Sequence, residues 1–189
     1  MMTKQAIRSE VAARIKNLSP VYCREADEAI CRCVLHSELY QKARTVLCYV
    51  GRPEEIDTMP LLHAALRDGK ILALPLCTQE KGVMEARQIM GLGDLVSGQF
   101  RILAPKLQCP LVAPEDVDLV IVPCASGSAK GSRLGYGGGY YDRYLPRTQC
   151  PRVLLCRAKL LRDDIPMDEH DVVMDYLVTE EGITACREN

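Results

Sequence analysis

A run of ten residues in this 189-residue chain combines the residue types that bind phosphate groups and metal ions. Residues 133–142 read RLGYGGGYYD, so four glycines lie between an arginine and a carboxylate. Glycine permits positive φ and lets a ligand approach the bare backbone, where consecutive N–H groups form an anion site. The guanidinium of Arg133 suits phosphate oxygens, and the carboxylate of Asp142 suits magnesium. A surface turn would explain the glycines alone, but the flanking charges favour a nucleotide phosphate site.

The N-terminal pattern predicts a helix that carries two further cations. Apolar residues recur at three- and four-residue steps over residues 3–18, which indicates one buried helix face. Lys4 and Arg8 are four residues apart and therefore share a face, where they suit either a polyphosphate or plain solvent. The dipeptide at residues 19–20, Ser-Pro, predicts the start of a second helix that runs to about residue 37.

Two apolar runs separated by a helical pattern predict a βαβ unit. Residues 45–50 are short and β-rich, as expected of a buried strand, and residues 71–76 form the next strand. Between them, Thr58 is expected to cap a helix that runs to about residue 68. A strand, a helix and a strand in this order favour parallel pairing, which predicts an α/β fold.

The strand before the glycines predicts where the site lies. Residues 118–122 give the clearest strand pattern, which ends at Pro123 just before the glycine segment. Open α/β sheets bind ligands at the carboxyl ends of their strands. Residues 139–145 are expected to begin a helix, whereas residues 91–114 are rich in Gly and Pro and are expected to be irregular.

Composition and charge argue against several classes of protein. Lys and Arg total 24 against 25 Asp and Glu, so a nucleic-acid-binding protein that relies on a strongly basic surface is disfavoured. No apolar run approaches the roughly 20 residues of a membrane helix, and residues 1–10 lack the apolar core of a signal peptide. We therefore expect one cytoplasmic, monomeric domain over residues 1–189, with no nucleic-acid or membrane partner.

The ten cysteines do not follow a metal-binding pattern. No C-x-x-C pair occurs, Cys31 and Cys33 are two residues apart, and the others are scattered. Zinc sites usually pair their ligands closely, whereas a free Cys in an apolar run behaves as a small buried hydrophobe. This usage predicts reduced thiols with packing roles in a reducing cytosol.

The glycine segment resembles a known family signature. Residues 133–143, RLGYGGGYYDR, are similar to the signature of 5-formyltetrahydrofolate cyclo-ligase, a family also called methenyltetrahydrofolate synthetase. Shorter matches occur in the family's order at Lys4-x-x-x-Arg8 and at residues 55–58, 69–70, 74–75, 118–123, 165–171 and 178–180. The resemblance implies a three-layer α/β sandwich with a mostly parallel sheet and helices on both faces.

The resemblance also implies a ligase of one-carbon metabolism that uses ATP and Mg²⁺. In the family's reaction, the 5-formyl oxygen of 5-formyltetrahydrofolate takes the γ-phosphoryl group of ATP. The folate nitrogen N10 then attacks the activated carbon. Loss of phosphate leaves 5,10-methenyltetrahydrofolate, with ADP as the other product.

The phosphate and metal roles follow from the same resemblance. Lys4 and Arg8 would contact the ATP phosphates, and Asp142 and Asp171 would hold magnesium directly or through water. The expected catalytic residues are Arg133 and Tyr140. The triphosphate would be wrapped by Arg133, Leu134, Gly135, Tyr136, Gly137, Gly138, Gly139, Tyr140 and Tyr141.

The folate roles involve another part of the chain. Glu55 would accept hydrogen bonds from adjacent N–H donors of the pterin, and Val50 and Met84 would line the folate pocket. Both ligands would share the segment of Tyr136, Gly137, Gly138, Gly139 and Tyr140. Plain core packing explains Val50 and Met84 equally well.

Two further assignments have alternatives, and two rival functions remain. Glu54 is an alternative to Glu55 as the pterin partner. For Asp171, the alternative to a metal role is a local cap or a local ion pair. The rival functions are a divergent, non-catalytic nucleotide- or folate-binding module and an ATP-dependent ligase or kinase for another small substrate.

The chain departs from the family pattern at two places. Gly127 and Ser128 stand where the family usually has Phe-Asp, which predicts the loss of an aromatic wall and a carboxylate at the mouth of the site. Arg157 and Leu160 stand where the family commonly has an aromatic residue and then Gln. Neither departure touches the glycine segment.

Overall fold

Helices and strands alternate along residues 2–99 and 102–186, which the computed structural model describes. The helices in these residues are α1 (Lys4–Lys16), α2 (Pro20–His36), α3 (Glu38–Lys42), α4 (Met59–Arg67) and α5 (Tyr140–Tyr144). The strands are β1 (Thr45–Leu47), β2 (Ile71–Cys77), β3 (Met84–Ile89), β4 (Leu95–Ser97), β5 (Leu103–Pro105), β6 (Leu111–Val112), β7 (Leu119–Val122), β8 (Ser126–Gly127), β9 (Arg133–Leu134), β10 (Arg152–Leu155), β11 (Tyr176–Thr179) and β12 (Gly182–Ala185).

The main sheet has a parallel centre and antiparallel edges. Its strand order in the described residues is β12-β11-β10-β7-β1-β2-β3-β6. The pairings from β11 through β10, β7 and β1 to β2 are parallel, and those of β12, β3 and β6 are antiparallel. The parallel pairing of β1 with β2 around α4 confirms the predicted βαβ unit. The carboxyl ends of all five parallel strands therefore lie along one edge.

Alternate residues of the central strands face two separate cores. In β7, Leu119 and Ile121 belong to one buried cluster, and Val120 and Val122 belong to the other. Helices α2, α3 and α4 pack on the first cluster, while α1 and α5 pack on the second. Since both faces are covered, the strands are apolar throughout. The expectation of a mostly parallel α/β sandwich with helices on both faces is confirmed.

Polar side chains set the starts of the first two helices. The hydroxyl of Thr3 accepts a hydrogen bond from the Ala6 N–H (3.2 Å), and that of Ser19 accepts one from Tyr22 (3.1 Å). These bonds satisfy N–H groups that have no partner inside the helix. Helix α1 thus begins at Lys4, and its Arg8 contacts the glycine segment.

Three local predictions are wrong. Thr58 occupies the N-cap position of α4, but its side chain makes no capping bond; it donates to the Tyr49 carbonyl, and Asp57 accepts from the Met59 N–H (3.0 Å). The described part of residues 91–114 is not wholly irregular, because β4, β5 and β6 all lie within that range. The first strand ends at Leu47 rather than at residue 50, and Tyr49 and Val50 beyond it line the site.

Candidate active site

A cleft of about 910 Å³ opens at the carboxyl ends of β1, β2 and β7. Residues just after β1 and β7, together with Cys77 at the end of β2, contribute to its wall. The structure brings together every residue that the sequence assigned to a site. Those that line this cleft are Lys4, Arg8, Val50, Glu55, Met84, Arg133, Leu134, Gly135, Tyr136, Gly137, Gly138, Gly139, Tyr140, Tyr141, Asp142 and Asp171.

The glycine segment crosses the cleft as an irregular loop between β9 and α5. Gly137 and Gly139 have φ values of 95° and 69°, the left-handed region that glycine adopts without strain. A Cβ atom at Gly138 would lie 2.7 Å from the ring of Tyr140, so the loop also needs glycine for space. Helix α5 has five residues, which is a single turn, so its dipole contributes little to the anion site that we predicted.

Arg133 is a buried cation with one carboxylate partner. Its residue is 8% exposed, its Nη2 donates to Asp142 Oδ1 (2.6 Å), and its Nη1 donates to the Pro123 carbonyl (3.5 Å). The buried Nε atom has no hydrogen-bond partner among the described residues. An unsatisfied buried donor is costly, and Arg133 thus keeps hydrogen-bonding capacity that its protein neighbours do not use.

Helix α1 places two more cations in the cleft. Lys4 Nζ donates to Asp168 (2.6 Å) and also to Asp171, and Arg8 Nε donates to the Gly135 carbonyl (2.8 Å). Burial lowers the pKa of Lys4, but the hydrogen bonds and charges of the two carboxylates outweigh it, and the pKa rises above 10.5. Lys4 is therefore charged at neutral pH.

Asp171 makes the local cap and the ion pair that the sequence offered as alternatives to a metal role, and it also lies in the cleft wall. Its Oδ2 accepts from the Asp168 N–H (2.6 Å) as well as from Lys4, so it does cap a local turn while it lines the cleft. Burial raises the pKa of Asp171, but these two partners and the charge of Arg133 lower it by more than burial raises it. The net pKa is therefore below 3.8. The carboxylate is ionised at neutral pH and available as an oxygen ligand.

The loop between β1 and α4, residues 48–58, presents Glu55 to the cleft. Glu55 is 9% exposed, and its Oε2 accepts from the backbone N–H of Arg52 (2.9 Å). Glu54 does not line this cleft; its side chain is 41% exposed and pairs with Arg52. The geometry therefore favours Glu55 over Glu54 as the carboxylate that faces a ligand.

Arg52 joins this loop to the glycine segment. Its guanidinium lies 4.0 Å from the centroid of the Tyr136 ring and 3.4 Å from Glu55 Oε1. The hydroxyl of Tyr136 donates to the Cys124 carbonyl (3.1 Å). Burial raises the pKa of Tyr136, so the ring keeps its hydroxyl proton and stays a hydrogen-bond donor.

Tyr140 is a neutral phenol in the cleft. Burial and the neighbouring thiol of Cys77 raise its pKa above 10. At neutral pH it can donate a hydrogen bond and cannot act as a base. Val50 and Met84 line the cleft and also pack against the two buried clusters, so the structure does not separate their two possible roles.

The comparisons with known proteins agree with this geometry. A family model described as the 5-formyltetrahydrofolate cyclo-ligase family matches residues 1–180. The chain belongs to that family. It is 30% identical to the mitochondrial 5-formyltetrahydrofolate cyclo-ligase of Arabidopsis thaliana, with 95% of this chain and 75% of the relative covered. It is 31% identical to the Escherichia coli 5-formyltetrahydrofolate cyclo-ligase, with 72% and 78% covered.

A solved structure supports the same cyclo-ligase family fold. The NMR structure of Aquifex aeolicus 5,10-methenyltetrahydrofolate synthetase matches with a TM-score of 0.86 at 30% identity, covering 100% of this chain and 95% of that one. The prediction of an enzyme of the cyclo-ligase family, made from the glycine segment, is confirmed. None of the helices in residues 2–99 and 102–186 has both the length and the apolar character needed to cross a membrane.

The carboxylates of this cyclo-ligase cleft fit one kind of metal binding. Magnesium bound with a nucleotide usually takes one or two protein carboxylates and completes its shell with water and phosphate oxygens. Asp142, Asp168 and Asp171 offer such oxygens in the cleft. Within the described residues, no group of three or more His, Cys, Asp or Glu side chains is placed to hold a metal. The donor set therefore suits magnesium that arrives with phosphates, and not a metal held by protein alone.

The first sequence departure from the cyclo-ligase pattern does not lie where we expected. Gly127 is in β8, buried against β10, and a Cβ atom there would lie 2.5 Å from Leu154 Cδ2. The hydroxyl of Ser128 accepts hydrogen bonds from the N–H groups of Lys130 and Ser132 in the β8–β9 turn. Neither Gly127 nor Ser128 lines the described part of the cleft. The expectation that these two residues leave a gap at its mouth is therefore wrong.

Three charged residues of the cleft were not predicted from the sequence: Arg52, Lys81 and Asp168. Arg52 lies three residues before Glu55, and a cation so close to a predicted ligand carboxylate was a usable signal. Lys81 lies in the turn between β2 and β3, where its carbonyl accepts from Arg143 Nη1 (3.1 Å). Nothing in the local sequence links that turn to the glycine segment.

Proposed function

We propose that this chain closes the ring of 5-formyltetrahydrofolate to 5,10-methenyltetrahydrofolate, using ATP and magnesium and releasing ADP and phosphate. The observation that carries the proposal is one shared cleft of about 910 Å³, which the glycine segment and the buried carboxylate of Glu55 both enter. A phosphoryl transfer between two small molecules requires both to be aligned in one such space.

The proposed chemistry depends on alignment and charge neutralisation. A formyl oxygen on an amide-like nitrogen is a poor leaving group, and magnesium-bound ATP supplies the phosphoryl group that makes it a good one. The protein then has to hold two ligands and screen negative charge, and it needs no strongly activated base. The neutral phenol of Tyr140 suits this task as a hydrogen-bond donor near the reacting atoms.

The phosphate side of the proposal relies on cations that exchange partners. Arg133 would donate its unpartnered Nε to a phosphate oxygen while Nη2 stays on Asp142. Lys4 would leave the carboxylates of Asp168 and Asp171, which would then be free to hold magnesium. The backbone N–H groups of the glycine segment would bind the remaining oxygens.

The pterin side of the proposal relies on Glu55. An ionised carboxylate accepts two parallel hydrogen bonds from adjacent N–H donors, which fixes the plane of a ring. Arg52 holds this carboxylate in the structure and would keep its backbone bond to Oε2, while the pterin donates to Oε1 and to the second lone pair of Oε2. Val50 and Met84 would exclude water from the ring.

The direct test measures methenyl-folate formation by absorbance with and without ATP. Wild-type protein should form product only with ATP and magnesium present. Glu55→Gln should raise the KM for folate by roughly tenfold and leave the KM for ATP within about twofold. Glu38→Gln is the matched control, because its carboxylate is 84% exposed on α3. An absence of ATP-dependent product at micromolar enzyme would refute the proposal.

Two outcomes of this test would favour the rival functions. Tight binding of nucleotide or folate by calorimetry, with no turnover, would indicate a non-catalytic binding module. Phosphate release from ATP that is stimulated by another small substrate, and not by folate, would indicate a different ligase or kinase.

We also propose a cytoplasmic monomer that acts as one domain. The proposal rests on the substrates assigned here, which are small molecules, and on the charge and composition of the chain. Cell fractionation tests the location, and sedimentation at micromolar concentration tests the monomer.

A further inference from the structure

Arg157 and Asp27 form an ion pair in the interior, close to the candidate active site but outside its lining. Arg157 follows β10 and is 3% exposed, and Asp27 on α2 is 7% exposed. Arg157 Nε donates to Asp27 Oδ1 and Nη2 donates to Oδ2, both at 2.8 Å. The pair is thus a two-pronged contact between residues 130 positions apart in the chain.

The remaining bonds of the pair all go to the loop that carries Glu55. Arg157 Nη2 donates to the Glu55 carbonyl (2.8 Å), and Nη1 donates to the Glu54 carbonyl (3.3 Å). Asp27 Oδ2 accepts from the Asp57 N–H (2.9 Å). The ion pair therefore binds three backbone groups of residues 54–57, while the Glu55 side chain lines the cleft.

Stability alone is a weak reason for such a pair. Desolvation of two charges often offsets their attraction, and apolar residues of similar volume can replace a buried ion pair without loss of stability. The loop carbonyls, in contrast, need fixed donors because they lie away from water. A planar guanidinium with five donors can serve a carboxylate and two carbonyls at once.

We infer that Asp27 and Arg157 are positioning residues that set the orientation of Glu55 toward the pterin ring. The inference rests on the proposed function, because it assigns the pair to the folate half of that reaction. Neither side chain lines the cleft, so the pair acts through the backbone of residues 54–57. Arg157 also belongs to the second of the two places where the sequence departs from the family pattern.

The test separates positioning from simple stability by comparing KM values. Asp27→Asn and Arg157→Lys should each raise the KM for folate by roughly tenfold, with the KM for ATP within about twofold of wild type. The double variant Asp27→Leu/Arg157→Met leaves no unpaired charge in the interior; a thermal melt checks its folding, and it should keep the raised KM for folate. A double variant with wild-type KM for folate would overturn the inference.

A matched control comes from the other end of the sheet. Asp118 directly precedes β7 and accepts hydrogen bonds from the N–H groups of Arg44 (2.9 Å) and Thr45 (2.8 Å) at the start of β1. It does not line the cleft. Asp118→Asn should leave both KM values within about twofold. Equal rises in the KM for folate in Asp27→Asn and Asp118→Asn would assign the effect to general destabilisation and overturn the inference.

Hydrogen exchange distinguishes failure of this inference from failure of the proposed function. Asp27→Asn should speed amide exchange in a peptide that covers residues 51–58 and leave residues 133–141 unchanged. Unchanged exchange in residues 51–58 overturns the positioning role, whatever the kinetics show. If wild-type protein makes no ATP-dependent product, the proposed function fails; faster exchange then supports the backbone contact and overturns only its link to folate.

Discussion

At the residue scale, Arg133 is the side chain whose surroundings make the sharpest kinetic prediction. It is buried beside Asp142, and its Nε–H has no hydrogen-bond partner among the described residues. We expect Arg133→Ala and Asp142→Ala each to lower kcat/KM by roughly 100-fold, the effect of losing one preorganised charge in a site. Arg133→Lys should lose nearly as much, because an ammonium cannot hold both Asp142 and a phosphate in a planar fork.

The measurement is steady-state kinetics of methenyl-folate formation, with a thermal melt of each variant to check folding. Arg67→Ala is the control, because that arginine is 74% exposed on α4 and lies outside the cleft. Folded Arg133→Ala and Asp142→Ala variants with turnover near that of the control would remove both residues from the proposed machinery.

The buried thiol of Cys31 is expected to affect stability and to leave turnover nearly unchanged. Cys31 is 2% exposed on α2, and burial together with Asp27 and Asp57 raises its pKa to about 12. The thiol therefore stays protonated at neutral pH, which makes it a packing group and a poor nucleophile. Cys31→Ala should cost ~1 kcal/mol of unfolding free energy and leave turnover within about twofold. Urea denaturation and the folate assay measure the two effects, and a large loss of turnover would contradict this packing role.

At the element scale, the loop between β9 and α5 needs its glycines for backbone shape. Gly139 has φ 69°, and Gly69, which ends α4 outside the cleft, has φ 68° with open space around it. An alanine at either position should cost roughly 1–2 kcal/mol of unfolding free energy, because both must adopt a left-handed conformation. Only Gly139→Ala should also raise the KM for ATP. Equal KM values in the two variants would show that loop shape does not matter for nucleotide binding.

The ion pair between Lys4 on α1 and Asp171 should make the free energy of unfolding depend on pH in a defined direction. The pKa of Asp171 is lowered, so its contribution to stability is present above its unfolded pKa and is lost as pH falls through the folded value. The pKa of Lys4 is raised, so its contribution is full below 10.5 and is lost only as pH rises through the folded value. Lys4→Met should therefore lose ~1 kcal/mol at pH 7 and progressively less as the pH falls below 3.8, through the folded pKa of Asp171. Urea denaturation at pH 7 and at pH values below 3.8 tests this, and an equal loss throughout would exclude the ion pair as the cause.

The same elements show what the sequence can and cannot predict. The apolar runs at β1, β2 and β7 identify a parallel centre, because strands buried on both faces are apolar throughout. Strands β4, β5 and β6 have two or three residues each, so distant pairing partners determine them and local propensity does not. The glycine segment carries its own signal, whereas Asp27 and Arg157 meet across 130 positions and leave none in a local pattern.

At the scale of the whole molecule, the cleft is a charge-balanced junction of distant segments. Lys4 reaches Asp168 across 164 positions, and Arg8 reaches Gly135 across 127. Each cation that would bind phosphate, apart from Arg8, already has a carboxylate partner. Under the proposed function, nucleotide binding therefore opens the Lys4 ion pairs and draws the charge of Arg133 partly away from Asp142, so these carboxylates need a further cation.

This exchange predicts that nucleotide stabilises the protein strongly only together with magnesium. At a hundredfold excess over Kd, ligand binding adds ~2.7 kcal/mol to stability, which raises Tm by roughly 5–10 °C for a chain of this size. With EDTA, the triphosphate meets Asp142, Asp168 and Asp171 unscreened, so the shift at the same ATP concentration should fall to less than about half. Asp142→Asn/Asp171→Asn should narrow the difference between magnesium and EDTA, while Asp118→Asn should preserve it. Equal shifts in magnesium and EDTA for wild-type protein would mean that the carboxylates keep their internal cations and take no part in binding the metal.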